Sequence, residues 1–170
     1  MRLIYRSAAL AAATFSLLVL AACDPQRISE LKEGVSTEAD VRDRFGAPEN
    51  VWDEPGGART FEYNRQPAGQ VNYMITLGAD GKLVAVRQVL TPENFARVQP
   101  GMGMDAVRRL LGKPAKVTPY EVKRESHADW RYLEAPNQSK VFTVVYGPDQ
   151  FVLRTQTGAD TDAPEFKGGK

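Results

Sequence analysis

The sequence predicts an α+β fold of two tandem repeats, each with two helices followed by three strands, the helices packed on one face of an antiparallel sheet. An eight-residue phrase carries this prediction, because it occurs as VRDRFGAP from Val41 and again as VRRLLGKP from Val107. The surrounding chain matches in the same order, since LGAD in the first copy corresponds to YGPD in the second. This order and spacing predicts one repeat over residues 28–90 and another over residues 91–155.

The repeated phrase is predicted to end a helix. Thr37 would cap the start of that helix through a Thr-x-x-Asp capping box. Val41 and Phe45 lie four residues apart and would share its inner face. Gly46 would then form a left-handed turn, and Pro48 would prevent the helix from continuing. The residues of the structural repeat motif are Gly34, Val41, Gly46 and Pro48 in the first copy, and Gly101, Val107, Gly112 and Pro114 in the second.

The other helices are predicted from similar signals. The first helix is expected over residues 25–32. In the second repeat, Thr91 followed by proline is typical of a helix start, and Asp105 is expected to open the helix that carries the second phrase. Arg42 and Arg108 are expected on the outer side of their helices. The inner face of the second-phrase helix would consist of Val107, Leu110 and Leu111.

Three strands are predicted in each repeat. Those of the first repeat are RTFEY, VNYMITL with a period of two, and KLVAVRQVL; those of the second are DWRY, KVFTVVY and FVLRT. The alignment of the two copies pairs Phe61 with Trp130. The GADG stretch favours a hairpin turn, because Asp-Gly accepts positive φ readily. Residues 156–170 lack any period and are rich in Gly and Asp, which predicts a disordered tail.

The front of the chain is predicted to be a signal peptide over residues 1–22. Arg2 and Arg6 precede a low-charge Ala- and Leu-rich run, which is short for a membrane span. The run ends in LAAC, which resembles the bacterial lipobox, where the signal is cut before a cysteine that then carries lipid. Cys23 is therefore the predicted lipidation site, and residues 23–27 are the predicted tether. The alternative is an ordinary secretory signal that leaves Cys23 a free thiol.

A lipid anchor on Cys23 would hold the folded part in the cell envelope, facing the periplasm. The outer membrane is the first expectation. The inner membrane is the alternative location, because residue 24 is Asp, and an aspartate after the lipidated cysteine favours inner-membrane retention in enteric bacteria. The 22 Lys and Arg nearly balance the 21 Asp and Glu, so no strong field suggests a nucleic-acid partner. A single cysteine also excludes a disulfide within one molecule.

Taken with its lipobox, this pattern resembles the SmpA/OmlA/BamE family of bacterial envelope lipoproteins. The pattern is Leu-x-x-Gly, then Val-Arg-x-x-Phe-Gly-x-Pro, then a short aromatic strand and a hairpin. The resemblance implies a small domain of two helices and three strands, and an accessory role in the machine that inserts β-barrels into the outer membrane. The duplication is similar to the two-repeat arrangement of the β-lactamase inhibitory proteins. The assembly accessory typically has one copy, whereas this chain has two.

Catalytic, cofactor and metal sites are not predicted. His127 is the sole histidine, and Asp129 and Ser126 are the neighbours that could form a catalytic set with it. One histidine leaves only carboxylates for a metal, and the glycines around Met102 lack the lysine of a phosphate loop. A basic stretch runs from Arg108 to Arg124; anionic lipid head groups are one possible partner for it and a solvated face is the other.

The function predicted from the sequence is a non-catalytic, membrane-anchored periplasmic module that binds another envelope protein. The β-barrel assembly machine is the first candidate partner. One rival function is a periplasmic inhibitor or ligand-binding module of the β-lactamase-inhibitory type, which predicts exposed aromatic residues on the sheet face away from the helices. The other rival is an enzyme centred on His127.

Overall fold

The computed structural model describes residues 24–163, and within them the chain is α+β. Helices and strands follow one another in the same order twice, as two helices and then four strands. The first half consists of α1 Asp24–Ser29, α2 Glu38–Phe45, β1 Asn50–Asp53, β2 Arg59–Asn64, β3 Asn72–Leu77 and β4 Leu83–Gln88. The second half consists of α3 Pro92–Ala96, α4 Met104–Leu111, β5 Lys116–Tyr120, β6 Glu125–Glu134, β7 Gln138–Tyr146 and β8 Val152–Ala159. No helix in this part of the chain has the length and apolarity needed to cross a membrane.

Two separate antiparallel sheets form, ordered β1-β2-β3-β4 and β5-β6-β7-β8. The predicted count of three strands per repeat is wrong, because β1 and β5 were missed. Both are short edge strands with little buried surface, and β5 contains Pro119. Such strands lack the continuous apolar alternation that makes a strand visible in a sequence.

Helix α2 begins and ends where the sequence predicts. The Thr37 hydroxyl accepts from the Asp40 backbone N–H at 3.4 Å, and the Asp40 carboxylate accepts from the Thr37 backbone N–H at 2.8 Å, which confirms the capping box. Gly46 has positive φ, but its ψ of −160° is not that of the predicted left-handed turn. Gly112 has φ 75° and ψ −174° after α4. This region is open to almost no residue but glycine, which explains why both copies of the phrase contain one.

Two predicted helix starts differ from the structure. Helix α4 begins at Met104, and Gly103 precedes it without a side-chain cap, so Asp105 lies within the first turn. Residues 24–27, predicted as tether, instead belong to α1. The Asp24 carboxylate accepts from the Arg65 guanidinium at 2.9 and 3.2 Å, which fixes the start of α1 to the first sheet. Cys23 and the predicted signal peptide lie outside the described residues.

The predicted disordered tail is wrong for its first part. Strand β8 continues through Ala159 and pairs with β7 from Lys140 to Tyr146. Asp160 follows it as a buried residue whose carboxylate accepts from Arg131 at 2.6 Å, and Ala163 is also buried. Residues 156–159 of β8 show no apolar alternation, so the sequence predicted them as part of the tail. Residues 164–170 lie outside the described part.

Each half has its own apolar core, and the second core reaches into the first sheet. In the first half, Val41 and Phe45 of α2 pack on β2 and β3. In the second half, Phe95 of α3 stacks on Phe142 of β7 with ring centroids 4.3 Å apart. Met74 of β3 belongs to this second core, so the first sheet is covered on both faces. The residues of the first core are Val41, Phe45, Phe61, Tyr63, Tyr73, Ile75, Leu77 and Leu83.

Buried polar contacts fix the two halves against each other. Glu62 of β2 is 0 % exposed and accepts from the Arg108 guanidinium at 3.2 and 3.4 Å and from the Lys113 backbone N–H at 2.8 Å. Asn72 of β3 donates to the Leu111 and Lys113 carbonyls at 2.9 and 3.1 Å. The predicted outer position of Arg108 is therefore wrong, since this side chain joins α4 to the first sheet.

The strand register corrects the alignment of the two halves. Val51 of β1 pairs with Phe61, and Val117 of β5, which follows the second phrase at the same distance, pairs with Ala128. Ala128 therefore corresponds to Phe61, and the predicted match of Phe61 with Trp130 is wrong by two residues. The hydrogen bonds agree, because the Tyr63 hydroxyl donates to the Gly46 carbonyl at 3.1 Å and the Trp130 indole donates to the Gly112 carbonyl at 2.9 Å.

Candidate functional site

Exposed apolar side chains gather at one end of the second sheet, in a region that we name the tip surface. It comprises the turn after β5 and the turn between β7 and β8. Val122, in the first turn, is 100 % exposed. Tyr120 and Phe151 are the exposed aromatic residues of the described chain. The residues of the tip surface are Tyr120, Val122, Arg124, Gln150, Phe151 and Leu153.

Both turns of the tip surface hold a non-glycine residue at positive φ, Arg124 at 53° and Gln150 at 63°. In the first half, Gly81 occupies the position of Gln150, and the backbone N–H of each residue donates to the carbonyl three residues earlier. A side chain at such φ costs about 1–2 kcal/mol, which glycine avoids. The second half thus retains a strained backbone at two positions that present polar side chains to solvent, a pattern that accompanies functional sites.

A cleft of about 300 Å³ lies between the two turns. Tyr120 and Pro148 line it, together with Arg124 and Gln150. The cleft therefore combines apolar surface with a cation, an amide and the carboxylates of Glu121 and Glu125. Its lining residues are Pro119, Tyr120, Glu121, Arg124, Glu125, Ser126, Gly147, Pro148 and Gln150.

An ionic cluster stiffens the sheet beside the tip surface. The Arg154 guanidinium donates two hydrogen bonds to the Glu125 carboxylate, at 2.8 and 2.9 Å. His127 Nε2 lies 3.2 Å from the same carboxylate, and its ring lies 4.3 Å from the Tyr120 ring. The hydrogen bonds from Arg154, and then that from His127, lower the pKa of Glu125 to about 2. Tyr120 is thereby positioned by a fixed charge pair.

The catalytic set considered for His127 does not form. The Asp129 carboxylate accepts from the Thr143 hydroxyl at 2.6 Å, whereas His127 contacts Glu125. Ser126 precedes His127 in the same strand and therefore points to the opposite face of the sheet. Within residues 24–163, no cluster of three or more His, Cys, Asp or Glu could hold a metal ion.

Of the exposed aromatics that the rival function predicts across the outer face of a sheet, the described residues place Tyr120 there, at the end of the second sheet. The outer face of the first sheet is largely covered by α4 and the second core, and the part that stays open lies beside Thr60, Thr76 and Arg87. The outer face of the second sheet is mainly polar, with Asp129, Arg131 and Arg154 along its strands. The exposed aromatics lie at the end of that sheet, where Tyr120 and Phe151 belong to the tip surface.

The residues of the repeat motif support the backbone. Gly34 and Gly101 have positive φ and donate through their backbone N–H to the Leu83 and Val152 carbonyls, both at 2.8 Å. The valines of the motif, Val41 and Val107, are fully buried, and Gly46 and Gly112 end α2 and α4. Pro48 and Pro114 follow in the segments that lead into β1 and β5.

Three of the six basic side chains from Arg108 to Arg124 are engaged within the protein. Arg108 is bound to Glu62, and the Lys113 amine lies 2.6 Å from the Glu49 carboxylate. The Arg109 guanidinium lies over the Trp52 ring, 4.5 Å from its centroid. The sequence gives no sign of these partners, since they come from the other half of the chain.

Comparisons with known proteins do not identify a family. No family model matches the chain, and no curated protein matches it. One similar crystal structure is that of a DUF4309 family protein from Bacillus subtilis, with 21 % identity, a TM-score of 0.30, and 76 % of this chain and 82 % of that one covered. Another is that of a candidate β-lactamase inhibitor protein from Streptococcus mutans, with 11 % identity, a TM-score of 0.35, and 79 % and 94 % covered. Neither likeness is close enough to support an argument about function.

Proposed function

We propose that this chain is a non-catalytic, protein-binding module of the bacterial cell envelope, and that the tip surface is its contact surface. The observation that carries the proposal is the fully exposed Val122 at the same end of the second sheet as the exposed Tyr120 and Phe151. Apolar and aromatic side chains at the centre of an interface, with polar groups around them, supply most of the binding energy in protein complexes. Arg124 and Gln150 provide such polar groups here.

The shape of the tip surface favours an inhibitor-type partner over a barrel-assembly partner. Val122 projects from a hairpin turn, and residues on either side of it, Glu121 and Arg124, line the cleft of about 300 Å³. A projecting turn with an apolar end fits a concave site in the partner, as an inhibitor fits an active-site cleft. No comparison supports the role in outer-membrane β-barrel assembly or the relation to the SmpA/OmlA/BamE lipoproteins, which stay predictions from the sequence.

A tandem duplication is the proposed origin of the two halves. Three observations support it: the helices and strands follow the same order, β3–β4 and β7–β8 have their register shifts at corresponding places, and Gly46 and Gly112 accept corresponding hydrogen bonds. Under this proposal the first half is chiefly a support for the second.

The envelope location rests on Cys23, which we propose carries lipid at the amino terminus of the mature protein. Because α1 begins at Asp24 and Arg65 holds Asp24, the lipid would adjoin the folded body with almost no tether. Mass spectrometry of the purified protein and membrane fractionation of a Cys23→Ser variant test this point. Fractionation of the wild-type protein beside this variant distinguishes the outer membrane from the inner membrane.

Binding through the tip surface is tested with a matched pair of variants. Val122→Asp should abolish recovery of the partner from mildly solubilised envelopes, because it places a charge at the centre of the proposed interface. Val84→Asp is the control, since Val84 is an exposed valine of the first half, at 51 %, in the position that corresponds to Leu153. Equal loss of the partner in both variants, or no loss in either, would refute the proposed surface.

A further inference from the structure

A second cleft, which we name the side cleft, opens in the second half between α4 and β5. Its volume is about 370 Å³, within the range of small-ligand pockets. Its walls are mainly apolar. One of them includes Val117 of β5, which points toward the helix side of the sheet and still has half of its surface exposed. The residues that line it are Met104, Arg108, Lys113, Pro114, Ala115, Lys116, Val117, Ala128, Trp130 and Tyr146.

The first half shows what fills the corresponding space. Phe61 stands there at the position of Ala128 and is fully buried. Guanidinium groups cover its ring, that of Arg42 at 4.9 Å and that of Arg59 at 5.5 Å from the centroid. The second half replaces the phenyl ring with a methyl group, and the side cleft lies where that ring would be.

The lining of the side cleft contains one tyrosine hydroxyl, that of Tyr146. Tyr146 is 1 % exposed and lines the cleft, and no residue among those described forms a hydrogen bond with its hydroxyl. Leu77 is the residue of the first half that corresponds to Tyr146, so only the second half has a hydroxyl at this position. This hydroxyl opens onto the cleft, so it can donate or accept a hydrogen bond with a bound ligand.

The mouth of the side cleft is positive. Arg108, Lys113 and Lys116 line it, and the lining residues include no carboxylate. Arg108 and Lys113 are bound to glutamates of the first half. Lys116, on the edge strand β5, pairs with Asp129 in the strand register and also lines a cleft on the outer face, and it forms no ion pair within residues 24–163. A ligand that carries acidic groups beside its apolar part is therefore favoured.

We propose that the side cleft receives a phenylalanine side chain from an acidic segment of the partner protein. This inference rests on the proposed protein-binding function and names the chemistry of the partner. Val117 lies three residues before Tyr120 on β5, so about 10 Å of strand joins the side cleft to the tip surface. One polypeptide can contact both.

The test uses a short peptide, acetyl-Asp-Phe-Glu-amide, and saturation-transfer NMR of its phenyl protons. The wild-type protein should bind it, and should bind acetyl-Asp-Ala-Glu-amide and acetyl-Lys-Phe-Lys-amide at least about tenfold more weakly. Ala128→Phe should weaken binding of the first peptide by a similar factor, because it restores the ring that fills the space in the first half. A melting curve establishes that this variant is folded.

A second pair of variants keeps the test decisive if Ala128→Phe does not fold. Val117→Glu places a negative charge at the wall of the side cleft and should weaken binding, whereas Val51→Glu at the corresponding exposed position of the first half should not. Peptide binding that survives both Ala128→Phe and Val117→Glu, or that is absent from folded wild-type protein, overturns the proposal. If the partner is still lost with Val122→Asp in that case, the proposed function stands and only the side cleft is excluded.

Discussion

The two halves share an architecture and differ in what they expose. The turn before β2 in the first half is Pro-Gly-Gly and the residue before β4 is Lys82, whereas the second half has Val122 and Phe151 at the corresponding turns. The first half fills its interior with Phe61, and the second leaves a cleft beside Ala128. The scaffold thus tolerates both a closed and an open version, and the apolar surface available for binding is concentrated in the second.

The largest expected effect concerns the arginines at corresponding positions of α2 and α4, which are Arg42 and Arg108. Arg108→Ala should destabilise the protein by about 3–5 kcal/mol, because it leaves the buried Glu62 without its charged partner. Arg42→Ala removes the corresponding guanidinium from a solvent-exposed pair with Glu38 and should cost about 1 kcal/mol or less. Urea unfolding of the two variants measures the difference, and similar losses would contradict the distinct role assigned to Arg108.

Substitutions at Phe61 and at the corresponding Ala128 distinguish the closed first core from the open second core. Phe61→Ala should cost about 3 kcal/mol or more, because it opens a cavity in the closed first core. Ala128→Phe should instead stabilise the protein by about 1 kcal/mol through filling of the side cleft. Thermal and urea unfolding provide both values, and destabilisation of equal size in the two variants would mean that the halves do not differ in this way.

The turn between β7 and β8 should be strained relative to that between β3 and β4. Gln150→Gly should raise the free energy of unfolding by up to about 1 kcal/mol, since glycine adopts φ near 63° without steric cost. Gly81→Gln should lower it by about 1 kcal/mol for the converse reason. The strain assignment fails if both substitutions change stability in the same direction.

The smallest expected effect is a dependence on pH near the tip surface. The pKa of Glu125 is lowered from 4.5 to about 2 by Arg154 and then His127, so its ionised form is favoured by folding. The stabilisation is present above pH 4.5 and is lost as the pH falls to about 2. The stability difference between wild type and Glu125→Gln should therefore shrink across this interval in acid-unfolding curves, and a difference that stays constant with pH would argue against the ion pair.

Local signals in the sequence predicted the local structure well. The Thr37 capping box, the glycines that end α2 and α4, and the central strands β2, β3, β6 and β7 were all found, because each depends on residues close together in the chain. The repeated phrase also predicted that the order of helices and strands in the first half recurs in the second. These signals did not predict β1, β5 or residues 156–159 of β8, although FVLRT predicted the start of that strand. The pairing of the missed segments comes from neighbouring strands rather than from their own apolar residues.

The contacts between halves and the candidate site were beyond the sequence. Arg108 looked like a surface residue of a helix, because nothing near it in the chain indicates that Glu62 would be buried opposite. The two-residue error that matched Phe61 with Trp130 hid the Ala128 substitution, and with it the side cleft. Val122 gave no pattern at all, since a single exposed valine in a turn is recognised only by its exposure.

In-cell photo-cross-linking tests the central claim, that the second half binds a protein through the tip surface. A photoreactive phenylalanine analogue is placed at Val122 or Phe151, and as a control at Val84 in the first half. The proposed function predicts one protein adduct of the same mass from Val122 and Phe151, and none from Val84. Adducts of equal yield from all three positions, or from Val84 alone, would contradict it.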